Sequence, residues 1–93
     1  MATELGARAQ LNIGQCRLAQ KRYAEASTAL LVVPYTYDYP HLSAVALLEA
    51  ARAFAENNQK EQAVKLLERV IKDHPDTDHA EAAKKRLEEL KKG

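Results

Sequence analysis

The sequence predicts an all-α fold in which antiparallel helix pairs stack against one another. Apolar residues recur at helical spacing in five segments of the 93-residue chain, whereas no segment alternates apolar and polar residues as a strand does. The composition agrees, because 17 residues are alanine while glycine and proline occur only 3 times each. Since the connections between the five segments are short, consecutive helices are expected to run antiparallel.

The first two helices are predicted at about residues 3–20 and 22–33. Thr3 is the expected N-cap of the first helix, because its hydroxyl can accept a hydrogen bond from a free backbone N–H. Pro34 is expected to end the second helix, since a proline ring cannot continue the hydrogen-bond ladder. The apolar stripes of these helices consist of Leu5, Ala9, Ile13 and Cys16, and of Tyr23, Ala26, Leu30 and Val33.

The third helix is predicted at about residues 41–57, with Pro40 suited to its first turn. Residues 57–59, Asn-Asn-Gln, separate it from a fourth helix that ends at His74 and Pro75. The stripe of the third helix consists of Leu47, Ala50, Ala51 and Phe54. The stripe of the fourth consists of Ala63, Leu66, Leu67, Val70 and Ile71.

The fifth helix is predicted at about residues 78–91. Asp78 is its expected N-cap, and Glu81 follows at the spacing of a capping box. Its apolar stripe is narrow and consists of Ala80, Ala83, Leu87 and Leu90. The rest of the helix is heavily charged, which is typical of a terminal helix whose outer face meets water.

An internal repeat relates the first helix pair to the second. At a constant offset of 37 residues, Ile13 coincides with Ala50 and Leu30 with Leu67. Small residues are expected to let the helices of a pair approach closely, and aliphatic residues to fill the space between pairs. The small residues are Gly14, Ala26, Ala51 and Ala63, and the aliphatic residues are Leu30, Val33, Leu67 and Val70.

Residues 50–75 resemble a tetratricopeptide repeat. The positions that carry the resemblance are Ala50, Ala51, Phe54, Ala63, Leu67, Val70 and Pro75, and the first repeat supplies Ile13, Gly14, Ala26 and Leu30. The likeness covers roughly residues 7–77. It departs from the family pattern at Arg17, where an aromatic residue is usual, and at Gln10, where the family often has tryptophan. The usual period is about 34 residues, so the extra residues must lie between Pro34 and Ser43.

The resemblance implies a right-handed α-solenoid of five helices, with two repeats and a C-terminal capping helix. The whole chain, 1–93, is then one domain. Repeat one with its tyrosine-rich extension is expected at 3–39, repeat two at 40–77 and the capping helix at 78–93. The chain from Val70 onward is similar to the closing repeat and cap of bacterial envelope-associated members of the family.

The resemblance also implies a noncatalytic module that binds a protein or peptide partner in a concave groove. The matching groove positions are Arg8, Leu11, Gln15, Leu18, Val45, Leu48, Arg52 and Glu56. Arg86 extends this row if the fifth helix continues the stack. Leucine beside arginine suits a peptide with a carboxylate. Gln15 and Arg52 stand where some members carry the asparagines of a dicarboxylate clamp, so a clamp of that kind is not expected.

Tyr35, Tyr37 and Tyr39 form a cluster with two open interpretations. The tyrosines either pack as a small local core, or they contact a partner, because tyrosine is enriched at interfaces.

Catalytic and metal sites are not predicted. Residues 73–79 are rich in His and Asp, but turn and capping roles explain each of them. Cys16 is expected to be a buried, inert thiol. The three glycines form no phosphate-binding loop, and no cofactor is expected.

Charge and hydropathy exclude further classes of function. Lys and Arg number 14 against 13 Asp and Glu, so the net charge of +1 gives no field that attracts nucleic acid. The basic residues of the fifth helix are interrupted by glutamates. Apolar runs such as residues 29–33 are far shorter than the roughly 20 residues of a membrane span, and no secretory signal starts the chain.

Two alternatives to the binding module stay open. One is self-association through the fifth helix or the tyrosines, for which a monomer or weak homo-oligomer is expected. The other is a designed or idealised repeat protein without a native ligand, since the chain starts abruptly in a helix pair. Localisation is expected to be cytoplasmic for a full-length protein and periplasmic for a piece of a larger envelope protein.

Overall fold

A computed structural model describes residues 3–92. These residues form five α-helices and no strand, which confirms the predicted fold class. The helices are α1 (Glu4–Ala19), α2 (Tyr23–Thr36), α3 (Pro40–Glu56), α4 (Lys60–Asp73) and α5 (Asp78–Lys92).

The helices form two layers. Each helix packs against the next one along the chain, and α3 also contacts both α1 and α5. We call α1, α3 and α5 the inner layer, and α2 and α4 the outer layer. Two helix pairs are therefore stacked side by side and followed by a single helix, as in a helical solenoid, within a body of 42 × 31 × 16 Å. Among the described residues, no helix has the length and apolar character needed to cross a bilayer.

Backbone conformation repeats with the sequence. Lys21 in the turn between α1 and α2 has a φ of 62°, and Asn58 in the turn between α3 and α4 has a φ of 61°. These two residues are 37 positions apart, and both lie in the left-handed region that few non-glycine residues adopt. The two turns thus have the same local geometry, which extends the internal repeat from side-chain pattern to backbone.

Thr3 caps α1 as predicted, since its Oγ1 accepts a hydrogen bond of 3.0 Å from the N–H of Gly6. The predicted cap of α5 is wrong: Thr77, not Asp78, accepts a 3.1 Å hydrogen bond from the N–H of Ala80. Asp78 lies inside the first turn of α5, where its negative charge still favours the positive end of the helix dipole.

Pro34 does not end α2, which continues to Thr36. Proline removes only its own N–H donor, and the ladder resumes at the next available donors. The N–H of Tyr37 donates a 3.0 Å hydrogen bond to the carbonyl of Val33. Proline at this late position therefore costs one hydrogen bond without terminating the helix.

The core includes the residues that the repeat predicts. The largest fully buried side chains are Leu30, Val33, Leu47, Leu67 and Val70. The small residues Gly14, Ala26, Ala51 and Ala63 are also buried. At Gly14, an added Cβ would overlap the side chain of Leu30. Glycine is thus required there by the close approach of α1 to α2.

The predicted buried stripe of α1 is wrong. Leu5 is 79% exposed, Ile13 is 48% exposed, and Ala9 and Cys16 are exposed as well. We call these four residues the stacking stripe of α1. The buried face consists of Ala7, Leu11, Gly14 and Leu18, which we call the pairing stripe because Gly14 lies against α2. Both stripes are apolar, so helical periodicity alone could not decide which of them is covered.

Truncation of the repeat-related leucines tests this packing. Leu30→Ala and Leu67→Ala should each lower the free energy of unfolding by about 2–5 kcal/mol, because both side chains are fully buried. Leu5→Ala is the matched control and should change it by no more than about 0.5 kcal/mol. Urea unfolding measures all three; equal losses in the three variants would show that the assigned core is wrong.

Candidate interaction surface

The eight predicted groove residues differ in their exposure to solvent. Arg8, Arg52 and Glu56 are exposed, and Gln15 and Val45 are half-buried. The other three, Leu11, Leu18 and Leu48, are buried, so the expectation that they project outward is wrong. Leu11 and Leu18 belong to the pairing stripe of α1, and Leu48 is the equivalent of Leu11 on α3, so these three side chains are part of the core. The solvent-facing part of this surface is therefore more polar than the sequence suggested.

A cleft lies where the C-terminal half of α3 meets α5, and we call it the inner cleft. Its volume is about 310 Å³. Its lining residues are Ala51, Arg52, Ala55, Glu56, Leu67, Arg86, Glu89 and Leu90. The cleft thus joins two arginines and two glutamates with an apolar surface of alanine and leucine side chains.

Arg86 ties the two walls of the inner cleft together. Its Nη1 donates a 3.2 Å hydrogen bond to the backbone carbonyl of Leu48 on α3. Because this bond spans 38 residues of sequence, it fixes the position of α5 along α3. The sequence predicts that Arg86 extends the row of groove residues if α5 continues the stack. The structure places Arg86 beside Arg52 in one cleft.

Arg52, unlike Arg86, is exposed to solvent. None of the ion pairs formed within residues 3–92 includes Arg52, and the residue is exposed. Its guanidinium group offers a planar set of N–H donors suited to a carboxylate. A donor of this kind beside Leu90 and two alanines can bind an acidic group and an adjacent apolar group together.

Sequence reasoning missed five of the eight cleft residues, namely Ala51, Ala55, Leu67, Glu89 and Leu90. Leu67 was assigned only to the core, and the residues of α5 were assigned to a cap. The signal that identifies them is the parallel course of α3 and α5, in which Leu48 lies level with Arg86. That register brings Arg52 level with Leu90.

The tyrosine cluster lies away from the inner cleft. Tyr35 is 68% exposed on the last turn of α2. Arg69 of α4 donates a 3.2 Å hydrogen bond to the Tyr35 hydroxyl and places its guanidinium carbon 5.2 Å from the ring centroid. Tyr37 and Tyr39 are half-buried and pack against the core. The tyrosines thus connect α2 to its neighbours, and only Tyr35 has a large exposed surface.

Two histidines meet at the opposite end of α3 and α5 from the inner cleft. Nδ1 of His41 and Nε2 of His79 are 3.3 Å apart, and the ring centroids are 5.2 Å apart. Burial lowers the pKa of His79 from its usual 6.5, and the nearby His41 and His74 lower it further against the opposing effect of Asp78. Within residues 3–92, no three His, Cys, Asp or Glu side chains converge as a stable metal site requires.

Comparison with known proteins gave one family. The family model described as tetratricopeptide repeat matches residues 8–38 and 45–77. These two segments coincide with the two helix pairs, α1 with α2 and α3 with α4. Neither the curated proteins nor the solved structures gave a match.

The histidine pair predicts a pH dependence of stability. Because the pKa of His79 is lower in the folded protein than its usual 6.5, the unfolded chain binds protons more readily. Stability should therefore fall as the pH drops below about 6.5 and on through the folded pKa. Urea unfolding at pH 7.5, 6.5 and 5.5, the titration range of histidine, should show a steeper loss in the wild type than in His79→Gln. Parallel pH profiles for the two proteins would contradict this prediction.

Proposed function

Because the chain belongs to the tetratricopeptide repeat family, we propose that it is a noncatalytic scaffold that binds a peptide or protein partner along its inner layer. Repeats of this family generally serve as protein-interaction modules, and its members are typically noncatalytic. The partner class is therefore protein, and the inner cleft is the proposed contact site.

The observation that carries this proposal is the guanidinium group of Arg52 at the inner cleft, which forms no ion pair within residues 3–92. A charged donor without an ion-pair partner gains most from a ligand that brings a carboxylate. Leu90, Ala51 and Ala55 line the same cleft and can cover an aliphatic side chain of that ligand. Arginine beside apolar surface is also typical of the residues that dominate binding energy at protein interfaces.

The size of the inner cleft supports a peptide anchor. Its volume of about 310 Å³ lies at the lower end of the range for small-molecule sites, so it fits one or two side chains and not a large cofactor. A peptide anchored there would continue along the solvent-facing groove residues, which include the exposed Arg8 and the half-buried Gln15 on α1.

The hydrogen bond from Arg86 to Leu48 supports the same proposal. It holds α5 against α3 before any partner arrives. A site whose walls are already in place loses less conformational entropy on binding. The arrangement therefore favours recognition by a preformed cleft over folding around the partner.

Self-association through α5 or the tyrosines is the weaker alternative. The exposed positions of α5 are mostly charged, and Tyr35 is already stacked against Arg69. Neither surface offers the apolar patch that a stable interface between copies usually needs.

Reversal of the Arg52 charge tests the proposal. Peptides selected from a random phage-displayed library on the wild-type protein should be rich in Asp and Glu. Arg52→Glu should weaken their binding at least tenfold, or about 1.4 kcal/mol, because the carboxylate then meets a like charge. The free energy of unfolding should stay within about 0.5 kcal/mol of the wild type, since Arg52 is exposed.

Lys92→Glu is the matched control, because it makes the same charge change at the end of α5. Fluorescence anisotropy with labelled peptides compares the three proteins. Equal affinities for wild type, Arg52→Glu and Lys92→Glu would remove the inner cleft from the function.

A further inference from the structure

The stacking stripe of α1 is an apolar surface without a cover among residues 3–92. Three large hydrophobic residues are exposed in this part of the chain, and two of them, Leu5 and Ile13, belong to the stripe. Ala9 and Cys16 complete it. Contiguous exposed apolar surface of this kind is typical of interaction sites.

The internal repeat shows what the equivalent stripe does elsewhere in the chain. Residues 37 positions later on α3 are all buried, namely Leu42, Ala46, Ala50 and Ala53. Residues 37 positions later again are His79, Ala83, Leu87 and Leu90 on α5, of which Ala83 and Leu87 are buried. The same stripe is therefore fully buried on α3 and buried at its centre on α5.

The neighbours of each inner helix explain this difference. Helix α3 packs against the preceding α2 and the following α4, and it buries its whole stacking stripe and three of the four equivalents of the pairing stripe, Ala44, Leu48 and Ala51. Within residues 3–92, helix α5 packs only against the preceding helices α3 and α4, and it buries Ala83 and Leu87 of its stacking stripe but none of the equivalents of the pairing stripe. Within the same residues, helix α1 packs only against following helices and buries the pairing stripe alone. The stacking stripe is thus the surface that receives a preceding outer-layer helix.

The two ends of the stack differ in chemistry. The equivalents of the pairing stripe on α5, where no further helix of residues 3–92 packs, are charged and exposed: Glu81, Lys85, Glu88 and Lys92. The uncovered stripe of α1 is formed by Leu, Ala, Ile and Cys. One end of the stack therefore has the composition of a surface that meets water, and the other has the composition of an interior packing surface.

We propose that the stacking stripe of α1 is a docking surface for an amphipathic helix of another helical hairpin, which lies on α1 as α4 lies on α5. The partner helix must present an aliphatic stripe, as α4 does with Leu67 and Val70. This surface is separate from the inner cleft, so the proposal does not depend on the function proposed above.

A second copy of the chain is a poor occupant. The aliphatic stripes of α2 and α4 are already buried within the chain, as the full burial of Leu30, Val33 and Val70 shows. A second copy could offer only its own α1. The proposed occupant is therefore a helix from a different polypeptide segment, with its aliphatic stripe still free.

A tandem protein tests the proposal with a defined probe. Residues 40–77, the second helix pair with its following turn, are placed directly before Glu4 of the complete chain. Thr77 then replaces Thr3, so that α1 follows a copy of α4 at the spacing at which α5 follows α4. Cys16 reports on the result, because it is the sole cysteine and lies exposed on the stacking stripe.

The tandem protein should react with a thiol reagent at least tenfold more slowly than the original chain. Cys16 should become covered as Ala53 is covered on α3. The tandem protein should also unfold in one cooperative transition. Ile13→Lys places a charge in the centre of the stripe and should restore fast labelling of the tandem protein. In the original chain the same substitution should leave labelling and fold unchanged, because Ile13 is 48% exposed there.

Three results would overturn the proposal. The first is equal Cys16 labelling in the tandem protein and the original chain. The second is unfolding of the added helix pair in a separate transition. The third is a dimer of the original chain in light scattering with Cys16 protected, which would identify a second copy as the occupant.

Discussion

The close approach of α1 and α2 at Gly14 is the contact on which the stack depends. An added Cβ at Gly14 would overlap the side chain of Leu30, so the leucine occupies the space that a larger residue would fill. Leu30 is fully buried and lies among the residues of the continuous core. Its equivalent 37 residues later, Leu67, is buried in the same way and also lines the inner cleft. Close packing within each pair thus sets the geometry from which the surface follows.

The same stacking produces two surfaces of different chemistry. Parallel inner helices bring Arg52 and Arg86 into one cleft. The hydrogen bond from Arg86 to Leu48 joins α5 to α3, the two helices that form the walls of the cleft. At the other end of the stack, Leu5 and Ile13 are exposed because, within residues 3–92, no preceding helix packs against α1 as α2 packs against α3 and α4 against α5. The polar inner cleft and the exposed apolar stripe of α1 are therefore consequences of one repeated packing pattern.

Local pattern predicted the features that depend on near neighbours in sequence. Five helices, the N-cap Thr3 and the buried Leu30 and Leu67 follow from periodicity and from the 37-residue repeat. The burial of α1 could not be predicted in this way, because the helix carries two apolar stripes and only its neighbours in space decide which one is covered. For the same reason the sequence places Leu11, Leu18 and Leu48 on the surface, although all three belong to the buried core. The contact of His41 with His79 joins positions 38 residues apart, and no local pattern encodes it.

The free energy of unfolding of Gly14→Ala tests the central role of this contact most directly. Alanine in place of glycine normally stabilises a helix by about 0.5–1 kcal/mol, and Ala9→Gly on the exposed face of α1 measures that propensity difference in this protein. At Gly14 the added methyl group would overlap Leu30, and overpacking of this kind costs about 1–3 kcal/mol. The account predicts that Gly14→Ala is less stable than the wild type despite the gain in helix propensity. A variant more stable than the wild type, by the amount that Ala9→Gly loses, would contradict it.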